Sequence, residues 1–214
     1  MSKIPVKSSL VDRNSQFIAL SERFRESPTR MGDIASYING AAFKPSDWSA
    51  CGKPIIRIQN LNDPDAPFNH FAGSIDPKYL VNNGDILISW ATHLEAYEWN
   101  GNDAWLNQHI FKVVFDKIDV DKTFFLYAAN VVLRDALKKT HGFKATMEHI
   151  KRGDFEDAIV FLPEISFQRQ FAYLAQQSDK SKFAALNISN LNLSLSLVTR
   201  TTKTHNAQNI LCRS

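Results

Sequence analysis

The sequence predicts a mixed α/β (α+β) domain followed by a long C-terminal helix. Three observations predict it: short apolar runs separated by turn residues between positions 31 and 163, one strong helical stripe among them, and the disappearance of Gly and Pro after Pro163. Short apolar runs bounded by turn signals read as strands, whereas a helix shows apolar residues at three- and four-residue steps. Composition agrees, since 214 residues with 44% hydrophobic and 11% aromatic side chains suffice for one sizeable core.

Residues 1–30 are polar, with one weakly amphipathic stretch carrying Phe17, Ile18, Leu20 and Phe24, and are expected to form an N-terminal arm. The next segment, 31–163, holds three strand candidates: Ile55-Ile56-Arg57-Ile58, Asp85-Ile86-Leu87-Ile88-Ser89 and Ile110-Phe111-Lys112-Val113-Val114-Phe115. Gly84-Asp85 reads as the turn before a buried strand, and residues 106–113 read as a strand with an ordered entry. Over 123–139, Phe125, Leu126, Ala129, Val132, Leu133, Ala136 and Leu137 form a helical stripe, with Gly142 as a stop. The strands and helices lack the regular βαβ alternation of a doubly wound fold. From 164 to 198 a long helix is expected, and from 199 to 214 a polar tail that frays. Phe171, Leu174, Ser178, Ser181, Ala185, Ile188, Asn192 and Leu195 alternate in steps of three and four, the seam of a coiled coil that would pair two helices. The same seam reads equally as one face of a surface helix, because several of its positions are polar. Leu191, Leu193, Leu195 and Leu197 alternate instead with Asn and Ser, a strand-like period that leaves the helix end open.

Several chemistries are excluded. No two glycines lie closer than eight residues, so neither the dinucleotide fingerprint nor a phosphate-cradling P-loop can be built. Motifs of the GxSxG and HExxH type are missing, as is the Asn/Asp-Pro-Pro-aromatic run that grips a flipped base. Cys51 and Cys212 lie far apart, which gives no zinc knuckle or disulfide framework and points to a reducing compartment. No apolar segment follows the charges at the N-terminus and no apolar run reaches membrane length, so a cytoplasmic protein is expected. The six histidines show no close pair at metal-ligand spacing. Pro64-Asp65 followed by Asp76-Pro77-Lys78 imitates the spacing of a metal-dependent nuclease. Its prolines argue against it, because those acids would have to project from adjacent strands.

Charge is unevenly spread. Residues 134–152 carry six Lys/Arg against Asp135 and Glu148, whereas residues 62–103 carry seven acids against Lys78 alone. The basic stretch suits a polyanion, and both stretches also suit ordinary solvated faces. DNA reading requires cations for phosphates together with Arg, Asn, Gln or aromatic tips for base edges. Arg57-Ile58-Gln59-Asn60, Asn107-Gln108-His109 and the stretch from His141 to Thr146 offer such groups.

The order of segments carries a resemblance. It comprises Met31-Gly32-Asp33-Ile34 with Gly40 and Phe43-Lys44, then Pro54-Ile55-Ile56-Arg57-Ile58-Gln59-Asn60-Leu61. Val81 with Gly84-Asp85-Ile86-Leu87-Ile88-Ser89, Trp99 with Gly101, Leu106-Asn107-Gln108-His109-Ile110-Phe111-Lys112-Val113, and Leu162-Pro163 with Gln168 follow. Over about residues 31–197 this resembles a target recognition domain of the specificity (S) subunit of type I restriction-modification enzymes. The resemblance implies a non-catalytic DNA-reading subunit. Its domain would dock on one half of a bipartite double-stranded target, and its helix would set the distance to the second half. It also implies methyltransferase subunits as partners, acting on adenine with S-adenosylmethionine, and through them an ATP-driven restriction subunit. S-adenosylmethionine, ATP and magnesium would then sit on those partners, with no cofactor, catalytic residue or metal in this chain.

Family members usually carry two such domains and two helices, and this chain has one of each. Either it is a half-subunit that forms a homodimer through the helix, or it is a truncated product. At ~1.5 Å per residue the helix would be roughly 50 Å long, a ruler between two half-sites. Residues expected at DNA are Lys44, Arg57, Gln59, Asn60, Trp90, Asn107, Gln108, His109, Lys138, Lys139, His141, Lys144, Thr146 and Lys151. Of these, Lys138, Lys139, Lys144 and Lys151 suit phosphates, and Arg57, Gln59, Asn60 and Trp90 suit bases. A nuclease, or an interaction protein that ignores DNA, are the competing readings.

Overall fold

The computed structural model describes residues 28–63, 65–140 and 149–180, with only the backbone of 138–140 and 178–180. The chain divides into two compact units, residues 1–169 and 170–214. In chain order the described elements are β1 (Pro28–Arg30), α1 (Met31–Ile34), β2 (Ser36–Asn39), β3 (Lys53–Ile56), α2 (Ile58–Asn62), β4 (Asn69–Phe71), β5 (Leu80–Val81), β6 (Ile86–Ser89), β7 (Glu95–Glu98), β8 (Ala104–Leu106), β9 (Ile110–Val114), α3 (Lys122–Thr140), α4 (Arg152–Glu156), β10 (Ile159–Phe161) and α5 (Ile165–Lys180). The fold is mixed α/β, as the sequence predicts.

Two four-stranded sheets organise the first unit. One has the order β2-β9-β6-β7 and is antiparallel throughout; the other has the order β4-β3-β8-β5, with β3 and β8 parallel. The apolar run of β6 is buried at all four positions, which explains why it lacks polar alternation. Gly84 supplies the turn before it at φ +82. Ile56, Leu61, Val81, Leu87, Ala104, Leu106 and Ile110 form one core cluster drawn from both sheets. Tyr37 and Phe155 meet edge to face at 5.2 Å, and the Tyr37 hydroxyl donates to the Met31 carbonyl at 2.8 Å. Burial pushes that phenol well above the usual tyrosine range.

Helix α3 extends the expected stripe by one residue at each end. Asp121 caps it, accepting from the Phe124 amide at 3.0 Å, and the Asp121 amide donates to Gln168 Oε1 at 3.0 Å. Gln168 is almost fully buried and its amide nitrogen donates to the Pro163 carbonyl at 2.7 Å.

Three expectations change. The first strand ends at Ile56, because Asn60 accepts from the Arg57 amide at 3.1 Å and starts α2, so Ile58 is helical. Residues 106–113 are two strands in different sheets, interrupted at Asn107–His109, where His109 takes φ +73. The arm ends in structure: Pro28, Thr29 and Arg30 pair with Phe161, Val160 and Ile159.

Helix α5 opens the region expected to be long and helical, and its described part stops at Lys180. Along it Gln168, Phe171, Ala172 and Ala175 are buried and Leu174 is half-buried. The buried stripe therefore includes Phe171 and Ala172. Ser181, Ala185, Ile188, Asn192 and Leu195 lie outside the described residues, as do the leucine alternation and the tail. Among the described residues no helix is long and apolar enough to cross a membrane.

Candidate nucleic-acid interface

The two four-stranded sheets finish at a common edge, and the backbone there is stitched across them. Parallel β3 and β8 end at Ile56 and Leu106, and the Asn107 amide donates to the Ile56 carbonyl at 3.2 Å. The chain leaving β2 joins the same seam: Gly40 N–H reaches Ile110 O at 3.1 Å, Ala41 N–H reaches Leu106 O at 2.9 Å, and Gln108 N–H reaches Ala41 O at 2.8 Å. Gly40 is required, since a Cβ there would sit 2.1 Å from the Asn107 carbonyl oxygen. Trp90 leaves β6 beside this turn, its amide donating to His109 O at 3.2 Å. Arg57, Trp90, Asn107, Gln108 and His109, separate in sequence, thus come to one edge.

Their side chains differ in freedom. The Trp90 indole donates to Asn39 Oδ1 at 3.0 Å and stacks on Phe111 at 5.7 Å, with the rings of His109 at 4.8 Å and His149 at 6.1 Å around it. It is held as a fixed, half-buried wedge. His109 Nδ1 and Asn107 Oδ1 are buried with no hydrogen-bond partner among the described residues. Together with the positive φ of His109, they make the turn a strained one, a feature that clusters at functional sites.

Arg57 is half-buried between neutral partners. Its guanidinium lies 5.5 Å from the centre of the Trp48 ring, and Nη1 donates to Asn69 Oδ1 at 3.4 Å. Trp48, 42% exposed, belongs to a short 3-10 turn whose first amide, Lys44 N–H, donates to Asp47 Oδ2 at 2.7 Å. Ser49 N–H then reaches His70 O at 3.0 Å, which lays this loop beside β4 and so beside Asn69. Lys44 and Gln59 are exposed.

Asn60 differs from its expected role. It is 4% exposed, and its amide donates to the Ala66 and Pro67 carbonyls, both at 3.2 Å, while its oxygen caps α2. A side chain spent on three internal bonds holds the 57–67 loop and does not face a base. Lys151 is exposed, two residues beyond His149, which bridges Ala91 next to Trp90. The side chains of Lys138 and Lys139 are not described, although α3 carries both; His141, Lys144 and Thr146 lie outside the described residues.

The nuclease imitation takes another form. Asp76 accepts from the Lys78 amide at 2.9 Å and pairs with its ammonium at 2.9 Å, and these bonds hold the carboxyl below the usual carboxylate range. The acid and the lysine thus close their own turn.

Asn39, Trp48, Asn69 and His149 were missed from sequence. Trp48 had a signal, an aromatic four residues after Lys44 within a Pro-Ser-Asp turn; the others are placed only by long-range pairing.

The sequence profile of the family described as "Type I restriction modification DNA specificity domain" matches residues 27–192. No curated protein matches the chain. Three solved structures share its fold. A chain from "Structural basis underlying complex assembly and conformational transition of the type I R-M system" gives a TM-score of 0.59 at 17% identity, over 90% of this chain and 50% of that one. The HsdS subunit from Thermoanaerobacter tengcongensis gives 0.55 at 15% identity, over 83% and 48%. The type I restriction-modification S subunit from M. genitalium gives 0.52 at 14% identity, over 92% and 52%. This chain therefore spans about half the length of the solved chains it resembles.

Proposed function

Since the chain belongs to the type I restriction-modification DNA specificity family, we propose that it is a non-catalytic subunit that directs adenine methyltransferase and restriction subunits to a bipartite DNA target. The observation that carries this reading is the gathering of Arg57, Trp90, Asn107, Gln108 and His109 at the edge where both sheets end. Such an edge presents a rigid aromatic wedge and several donor and acceptor tips together, as reading a groove requires. Lys44 and Lys151 flank it as exposed cations. Lys138, Lys139 and Lys144 extend the phosphate-binding face, and His141 and Thr146 lie in the same stretch of sequence.

One recognition domain per chain suits a two-fold assembly. Two copies pair through the helix that begins at Ile165, each reading one half of an interrupted palindrome. S-adenosylmethionine, ATP and magnesium belong to the partner subunits, in the cytoplasm.

The test is the salt dependence of DNA affinity for the complex with methyltransferase subunits. Changing Lys138, Lys139 and Lys144 together to Glu lowers affinity for all sequences. It also reduces the slope of log affinity against log salt by roughly three for each copy of the chain on the target, about 0.9 for each phosphate no longer neutralised. An unchanged affinity and slope contradict the phosphate face.

A further inference from the structure

Arg57 differs from Arg30, Arg152 and Arg169 in what holds it. Arg30 pairs with Asp33 at 2.8 Å, Arg152 with Glu156 at 2.8 Å and Arg169 with Asp119 at 3.4 Å. Arg57 has no carboxylate within ion-pair distance among the described residues, and its partners are an indole face and one amide oxygen. These orient the guanidinium without neutralising it. The indole restricts the plane, Asn69 occupies Nη1, and further N–H donors of the five remain for a ligand. Trp48 is 42% exposed, which leaves apolar surface in water, and Asn69 stands opposite Ile55 in the pairing of β3 with β4, two residues before Arg57.

We propose that Arg57, set by Trp48 and Asn69, reads a guanine in the major groove of the target. Guanine presents N7 and O6 as two acceptors on one edge, matched to two N–H groups of an oriented guanidinium. A phosphate also accepts two such bonds, but it can be met from many directions and does not require the guanidinium plane to be fixed. The site lies beside the Asn107–His109 turn and the Trp90 wedge, where both sheets end. Trp48 and Asn69 are positioning residues, and Arg57 is the specificity-determining one.

This inference rests on the DNA-reading role proposed above, and one experiment separates the two. The complex of the full chain with methyltransferase subunits is used to select duplexes from a randomised library, with wild type, Arg57→Lys, Arg57→Ala and Trp48→Ala compared. Wild type enriches a motif; Arg57→Lys and Arg57→Ala lose its preference at one G·C pair and keep the remainder, and Trp48→Ala weakens the same preference. In the wild-type complex, 7-deazaguanine at that guanine, which removes N7, lowers affinity roughly 5- to 150-fold. Arg57→Lys identifies that guanine even where Arg57→Ala fails to fold. Equal weakening at every sequence by Arg57→Ala, restored by Arg57→Lys and with no effect of the base analogue, makes the contact a phosphate one and overturns the guanine assignment alone. If the wild-type complex enriches no motif, the DNA-reading role falls and the guanine assignment falls with it.

Discussion

Asn60 and Gln59 sit side by side on α2 and do opposite work. Asn60 is 4% exposed with three internal hydrogen bonds, so Asn60→Ala leaves the Arg57 amide and two loop carbonyls short of partners. Stability to urea is expected to fall by about 1–3 kcal/mol, the usual consequence of orphaning buried polar groups. Gln59→Ala is expected to stay within about 0.5 kcal/mol, as at other exposed sites. Equal stabilities for the two variants would contradict the assignment. The sequence placed both residues among base-reading candidates because it shows residue type, not burial. The same limit hid Trp48 and Asn69, whose roles arise only when the loop from Lys44 folds onto β4 through the Ser49–His70 bond.

Edge strand β7 shows how an element can be finished by a side chain. It pairs with β6 on one side only, and on the other the Asn130 amide of α3 substitutes for a strand. Asn130 Oδ1 accepts from the Ala96 amide at 2.9 Å, and Nδ2 donates to the Ala96 carbonyl at 3.1 Å. Asn130 is 8% exposed, so these groups lie away from water. Asn130→Leu is expected to lower stability by roughly 1–3 kcal/mol for each group orphaned, and to speed amide exchange at Ala96. Exchange as slow as in the wild type would show that β7 does not depend on α3. Helix α3 was legible because its stripe is long and capped, and β6 and β9 were legible as dense apolar runs. β4, β7 and β8 were not: strands of three or four residues have too little length to show a period, and pairing between distant segments stabilises them. The break at Asn107–His109 was equally hidden, because a positive φ at a histidine leaves no compositional mark.

The molecule joins two sheets at one edge and sends a helix onward from Ile165. That arrangement, in a chain spanning about half of the solved structures it resembles, underlies the proposal of one half-site per chain and two chains per target. The family was legible in the order of segments, several of which, Gly40, residues 54–61 and residues 106–113, build the common edge. Pairing through the helix was not legible to the same degree, because several positions of the seam, Ser178, Ser181 and Asn192, are polar. The most direct measurement is the map of methylated adenines in DNA from a host without adenine methylation of its own, expressing the methyltransferase subunits with or without this chain. Methylation at an interrupted palindrome, present only with the chain, is the predicted result; DNA left without any chain-dependent methylated motif would contradict the account.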